Sequence, residues 1–556
     1  MSMFCYQCQE TLGNKGCTVR GICGKDETVA KLFDMLIFIL KGLSVYGTRA
    51  RKLGVSDEKA DIFAGEALFT TITNVNFDSD AIYDVIKKAF AKREKVKNLF
   101  LETYRKKNGA DFKETVPECC TWSTDGGMDA LLKKAEEIGV LSQKDEDTRS
   151  LRELIIYGAK GIAAYTDHAY VLKHKDTDIL AFLQEALAAT TDDSLTVNDL
   201  IPLVMKTGEY AVKAMKLLDE ANTSTFGKQE ITEVSTGLKK GHAILVGGHD
   251  LCDFEEILKQ TDGTGINVYT HDEMLVANAY PEFKKYKHFA GHYGLSWWHQ
   301  QKEFDEFKGS IIMTTNCLQK PLDSYKDRLF TTGRVGWPGV KHIADRVGDR
   351  PKDFSPLIEK ALSLGPIEEK PGKKLVIGFA HDAVLSIAGK VVDAIKSGKI
   401  RRFVCMSGCD GRLPVREYHT ELAKKLPEGT VILTSGCAKY RYNMLDLGDI
   451  DGIPRVLDAG QCNDSYSWAV VAIKLAEVFG AKHINDLPVS FNVAWYEQKA
   501  VCVLLALLYL GIKKIRLTPT LPAFLSPNVT KVLADQFELK LASNVDDDIA
   551  AMMAGN

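Results

Sequence analysis

Between Asp26 and Ala221 apolar residues recur at helical spacing, as in Leu151, Leu154, Ile155, Gly158, Ile162, Tyr165 and Leu172. That period predicts helix after helix, packed as an all-α bundle. At 222–227 the run Asn-Thr-Ser-Thr-Phe-Gly breaks the pattern, and a different texture follows. Short apolar runs at 244–246, 266–269 and 311–314 alternate with helical segments, each run ending in a loop of Gly, Asn, Thr or charged residues. Alternation of this kind predicts a mostly parallel sheet. Gly365, Pro366, Pro371 and Gly372 interrupt it. It then restarts, with strands at 375–379, 403–406 and 431–434 and a helix at 383–396. The predicted fold is therefore multidomain α and α/β: an N-terminal helical domain over 1–223, followed by α/β domains over 224–370 and 371–556. The longest apolar stretch, 500–512, is too short to span ~30 Å of hydrocarbon and reads as a buried helix.

A chain of 556 residues has room for several cores. Lys plus Arg number 71 against 74 Asp plus Glu, with no basic block. That balance lacks the electrostatic footprint of a nucleic-acid binder and turns attention to small molecules and redox proteins. No basic stretch and apolar run of a secretory leader is read at the start, so a cytoplasmic location without membrane insertion is expected. Thirteen cysteines are too sparse for a disulfide scaffold, and the number is odd. Thiols used this way serve metals, redox chemistry or cores.

Cys5, Cys8, Cys17 and Cys23 are separated by two, eight and five residues. Four thiolates so close satisfy one tetrahedral ion or one cubane cluster. Gly13, Gly16, Gly21 and Gly24 are interleaved with them, which lets the backbone curl inward and aim amides at sulfur. Structural zinc is the competing reading, because four cysteines serve both.

In open α/β sheets ligands bind beyond the carboxyl ends of the strands. Those loops carry an unusual set: Gly248-His249-Asp250, His271-Asp272-Glu273, Asn316-Cys317, Gly408-Cys409-Asp410, Gly436-Cys437-Ala438-Lys439, Gln461-Cys462-Asn463 and Trp495-Tyr496-Glu497-Gln498-Lys499. Thiolate prefers soft metal sites and carboxylate hard ones, so the mixture suits a centre with both sulfide-bridged and oxygen-bridged irons. Any one of these residues alone reads more readily as a loop or core residue. Cys405, Cys502, Cys252, the Cys119-Cys120 pair, His242, His381 and Trp297-Trp298 keep that structural reading.

Eight motifs in order, from Phe4-Cys5-Tyr6-Gln7-Cys8-Gln9 to Trp495-Tyr496-Glu497-Gln498-Lys499, resemble the hybrid-cluster (prismane) family over essentially the whole chain. The resemblance implies two Rossmann-like domains after the helical one, similar to the carbon monoxide dehydrogenases. It implies a 4Fe-4S cubane on Cys5, Cys8, Cys17 and Cys23, with the compact spacing of the class found in strict anaerobes. It further implies a hybrid 4Fe-2O-2S cluster on His249, Glu273, Cys317, Cys409, Cys437, Cys462 and Glu497, with a persulfide on Cys409. The nickel-binding ligand set of the dehydrogenases is not what these loops present.

The activity so implied is reduction of hydroxylamine to ammonia and water. Reduction of nitric oxide to nitrous oxide under nitrosative stress competes with it, as does a regulatory role in which Cys409 passes nitrosyl or persulfide groups to partner thiols. Lys499, Glu273, Glu497 and His249 are the candidate proton carriers, Lys499 first. No Gly-x-Gly-x-x-Gly follows a strand, so a separate ferredoxin-like or rubredoxin-like donor protein is expected.

Overall fold

The computed structural model describes residues 2–348 and 350–556. Its first part is helical. Glu27–Lys52, Ser79–Asn108, Glu146–Val171 and Val197–Phe226 are the long members. Asp26, Asp78 and Asp145 cap the first three by accepting from backbone amides of the first turn, which satisfies donors the helix cannot use. Val197–Phe226 runs on through residues 222–226 and stops only at Gly227, whose φ is +86°. Tertiary packing of Ala221, Asn222 and Phe226 outweighs the weak propensity of the Asn-Thr-Ser-Thr run.

Two six-stranded parallel sheets follow. The first runs Phe289–His292, Ile266–Thr270, His242–Gly247, Ser310–Met313, Leu329–Thr332, Lys341–Ile343. The second runs Val456–Asp458, Thr430–Thr434, Arg402–Gly408, Val489–Ala494, Arg516–Thr518, Lys540–Leu541. Numbered within each sheet, both have the order 3-2-1-4-5-6 of the doubly wound dinucleotide-binding fold. All neighbours run parallel, and the strand order reverses between His242–Gly247 and Ser310–Met313 in one sheet, and between Arg402–Gly408 and Val489–Ala494 in the other. These are the crevices where such folds bind ligands.

One expected strand plays a different part. Lys374–Ile377 pairs antiparallel with Thr232–Ser235 and belongs to neither large sheet. Its exposed alternate residues, Lys374 and Val376, suit a two-stranded ribbon and not a strand covered on both faces. The helix expected at 383–396 is two helices, His381–Ser386 and Ala388–Lys396. Cys119 and Cys120 sit in a short helix, Glu118–Thr121.

The apolar stretch near residue 500 forms Gln498–Tyr509, a helix buried on almost every face. It leaves the second sheet and packs against Glu146–Val171 and Val197–Phe226. Glycines permit the contact: a Cβ on Gly161 would sit 2.4 Å from Cys502 Cβ, and one on Gly208 2.2 Å from the Leu505 carbonyl. Among the described residues no helix is long and apolar enough to cross a membrane.

Candidate metal centre

The N-terminal segment folds without a core of its own. Cys5 and Cys17 face each other as a backbone bridge, N–H to carbonyl at 3.0 and 2.8 Å. The Leu12 amide points at Cys17 Sγ at 3.5 Å, and Lys25 Nζ lies 3.3 Å from Cys5 Sγ. Burial raises the Cys8 thiol pKa, and Cys23, Cys5 and Cys17 add to the rise, so the four sulfurs sit in one another's field. Among the described residues, no three of these sulfurs fall within 4.8 Å of one another. Four thiols gathered this way can serve a cubane cluster or one tetrahedral ion.

The second group forms where the two sheets face each other. His249 and Cys317 stand beyond the switch point of the first sheet, Cys409 and Glu497 beyond that of the second. Glu273, Cys437 and Cys462 come from short 3-10 turns after neighbouring strands. Gly436 (φ +79°) makes the approach possible, since a Cβ there would lie 2.5 Å from the Gly408 carbonyl. All seven side chains, with Lys499, line one small cavity.

Bonds across the two sheets fix this meeting. The Cys462 amide donates to Glu273 Oε2 at 3.0 Å, and Gln461 Nε2 to the His249 carbonyl at 3.1 Å. Lys499 Nζ reaches His249 Nε2 at 2.9 Å, Asn316 Oδ1 at 3.1 Å and Glu497 Oε1 at 3.8 Å. His249 Nδ1 is bonded to Thr315 Oγ1 at 3.1 Å, the arrangement that leaves Nε2 as the ligating nitrogen. Trp297 and Trp298, read from sequence as structural, hold Asp410: indole to carbonyl at 3.2 Å and indole to carboxylate at 2.8 Å.

The electrostatics of the site fit a bound metal. Burial first, then neighbouring Asp272, lifts the thiols of Cys317 and Cys437 well above the ordinary range; Cys462 is pushed up to about 12 by burial, opposed by Lys499. Burial also raises the carboxyls of Glu273 and Glu497, against Lys439 and Lys499 for the former and Lys499 for the latter. Glu273 Oε1, both carboxylate oxygens of Asp272 and Asn316 Nδ2 are buried with no hydrogen-bond partner. Such orphaned groups cost roughly 1–3 kcal/mol each. A metal cluster supplies what the thiols and oxygens lack, because coordination favours thiolate and carboxylate outright. Ligand atoms of His249, Glu273 and Cys462 lie within 4.8 Å of one another, as do those of Asp272, Glu273 and Cys437. The donor set fits iron bridged by both sulfur and oxygen.

Sequence reasoning passed over three residues here. Asp272, buried and left-handed at φ +51°, sits among the ligand atoms; Cys317 shares that rare conformation at φ +67°. Strain concentrates at functional sites. His168, on Glu146–Val171, stacks on His249 with ring centroids 6.3 Å apart, and neither of its ring nitrogens has a partner. Tyr165, one turn earlier, donates to Cys462 Sγ at 3.4 Å. Asp272 could have been found from its place beside Glu273 at a strand end. His168 and Tyr165 carried only the signal of polar groups on a buried helical face.

A fold with two doubly wound sheets, a helical bundle and two cysteine-rich centres defines an iron–sulfur oxidoreductase. Residues 3–550 match the Prismane/CO dehydrogenase family, and the chain belongs to it. It is 64% identical to the hydroxylamine reductase of Kosmotoga olearia, covering all of both chains. Identity is 60% with the hydroxylamine reductase of Halothermothrix orenii and 58% with that of Nitratidesulfovibrio vulgaris, again over full length. Among solved structures it is similar in fold to carbon monoxide dehydrogenase IV from Carboxydothermus hydrogenoformans. The TM-score there is 0.54 at 17% identity, over 99% of this chain and 92% of that one.

Proposed function

We propose that the protein reduces hydroxylamine to ammonia and water at a hybrid 4Fe-2O-2S cluster held by His249, Glu273, Cys317, Cys409, Cys437, Cys462 and Glu497. Cys5, Cys8, Cys17 and Cys23 would hold a 4Fe-4S cluster, which would supply one-electron transfer from an external donor protein. The observation that carries the reading is the convergence of seven sulfur, imidazole and carboxylate donors from two sheets on one cavity, in a chain whose full-length relatives bear the name hydroxylamine reductase. Such a cluster supplies Lewis-acidic iron and stored electrons. The protein's own part is proton supply, orientation and exclusion of water. Lys499 is the proton carrier: it is buried, and although burial works to lower its pKa, Cys462, Glu497 and Cys317 outweigh that and hold the ammonium charged. Its Nζ faces the cavity between His249 and Asn316. Cys409, whose backbone is pinned by Arg416 and Ala494, is the position proposed for the persulfide.

Protein prepared without oxygen is to be given hydroxylamine and reduced viologen. One ammonia per two electrons is expected, and Lys499→Ala should lose about 10²-fold in turnover with iron, sulfide and spectra unchanged. Full turnover in that variant sinks the role of Lys499, and failure to consume hydroxylamine sinks the substrate. Nitric oxide stands second because an apolar pocket lined by Trp468, Ile484, Phe491, Val503 and Leu507 also reaches Cys409 and Cys462. An apolar path suits a small apolar gas better than hydroxylamine, and nitrous oxide formed under limiting nitric oxide would favour that reading.

A further inference from the structure

We propose that the loop 11–25, together with Leu413 and Val415, is the docking surface for an acidic one-electron carrier protein. The inference deepens the preceding reading and rests on a cluster at the N-terminal cysteines.

Leu12, Val19 and Ile22 are 54, 76 and 43% exposed on the loop that carries Cys17 and Cys23. Arg412 reaches over from the second sheet's domain and donates to the Ile22 carbonyl at 3.1 Å. Leu413 and Val415, 37 and 55% exposed, follow Arg412 directly in the chain. Apolar side chains gathered this way mark a surface that a partner covers.

The charge on the loop has one sign, and Glu417, exposed beyond Val415, is paired with Arg441. Between Glu10 and Asp26 the chain carries Lys15, Arg20 and Lys25 and no carboxylate. Glu10 is buried and taken by Arg412 at 2.7 Å, and Lys25 is buried against Cys5. Lys15 and Arg20 are exposed. Among the described residues neither meets a carboxylate, and Arg20 reaches only the Gly24 carbonyl, at 3.5 Å. An apolar spot flanked by free cations complements a partner whose own apolar contact is ringed by carboxylates. A second copy of this chain fits less well, because a two-fold contact sets the same cations against one another.

Position agrees with charge. Cys5 and Cys23 are half-buried, whereas Cys317, Cys409, Cys437 and Cys462 are all buried, so the N-terminal centre is the one a carrier can approach. Each encounter passes one electron: the carrier is oxidised and the N-terminal cluster reduced. Two carrier molecules are thus oxidised for each hydroxylamine that takes up two electrons and two protons to give ammonia and water.

The test is stopped-flow reduction of the anaerobically prepared holoenzyme by a reduced acidic 4Fe-4S ferredoxin, and separately by the methyl viologen radical. In the Lys15→Glu/Arg20→Glu double variant the ferredoxin rate constant should fall at least about tenfold and lose its decline with salt. The viologen rate should not fall, and iron content should match the parent. Val19→Asp should slow ferredoxin alone in the same way. An unchanged ferredoxin rate overturns the proposal, as does a parallel fall with both reductants. Concentration-dependent dimerisation abolished by Val19→Asp would assign the face to a second copy and also overturn it. Parent protein with no iron at the N-terminal cysteines fails the cluster reading itself, a result visible in metal and sulfide analysis before any rate is measured.

Discussion

A buried ammonium beside a thiol is expensive unless the sulfur carries charge. Lys25 is 6% exposed with its Nζ on Cys5 Sγ. Burial works to lower its pKa, yet Cys5 and Cys23 outweigh that and the net direction is up. The pairing makes sense if Cys5 is a cluster thiolate, because a hydrogen bond to sulfur stabilises the more negative, reduced cluster. Lys25→Met keeps the side chain's length over the Phe33 ring and removes the charge. The midpoint potential of the N-terminal cluster should then fall by about 60 mV, the one-electron equivalent of ~1.4 kcal/mol. Potentiometric titration followed by electron paramagnetic resonance measures it, and an unaltered potential would remove Lys25 from the centre's chemistry.

At the scale of elements, the helix Gln498–Tyr509 joins site to scaffold. Its first turn carries Lys499, Gln498 bonds the Gln7 carbonyl and the Thr73 amide, and its remaining length lies between two helices of the bundle. Gly208→Ala would press a methyl into the Leu505 carbonyl, so the helix must slide. The expected cost is about 2 kcal/mol of stability, with turnover reduced while iron content holds; an unshifted melting curve would show that the contact has slack. The same helix marks the limits of sequence reading. Its burial was legible because 500–512 is uniformly apolar, and the central strands were legible because buried parallel strands are short, continuous apolar runs. The outer strands Phe289–His292, Leu329–Thr332 and Lys341–Ile343 were not read, since His292, Thr331, Thr332, Lys341 and His342 dilute the apolar signal there. The seven candidate donors were singled out because each follows a strand, and the structure brings them to one cavity. His168 was not, because nothing in a helix's own period says that its buried face will meet an imidazole from another domain.

For the whole molecule, the two sheets are joined at the cavity by groups that are poorly satisfied on their own. Orphaned oxygens on Asp272 and Glu273, an orphaned amide on Asn316 and thiols held protonated by burial face one another there. Coordination would satisfy those groups, so metal binding and domain closure are linked. Removal of iron under anaerobic conditions should therefore act at a distance from any single ligand. Amide hydrogen exchange should rise about tenfold or more at 271–279, 315–319, 436–441 and 460–464, all loops that carry proposed ligands. Protection in the part of Glu146–Val171 that precedes Tyr165 should hold, because Leu151, Leu154, Ile155 and Ile162 there are buried in the apolar core, away from the proposed ligands. Equal exchange with and without iron would mean that the loops are preformed by backbone bonds alone. A rise spread through the helical bundle would instead mean that the centre holds up the entire fold, and either result would refute the linkage.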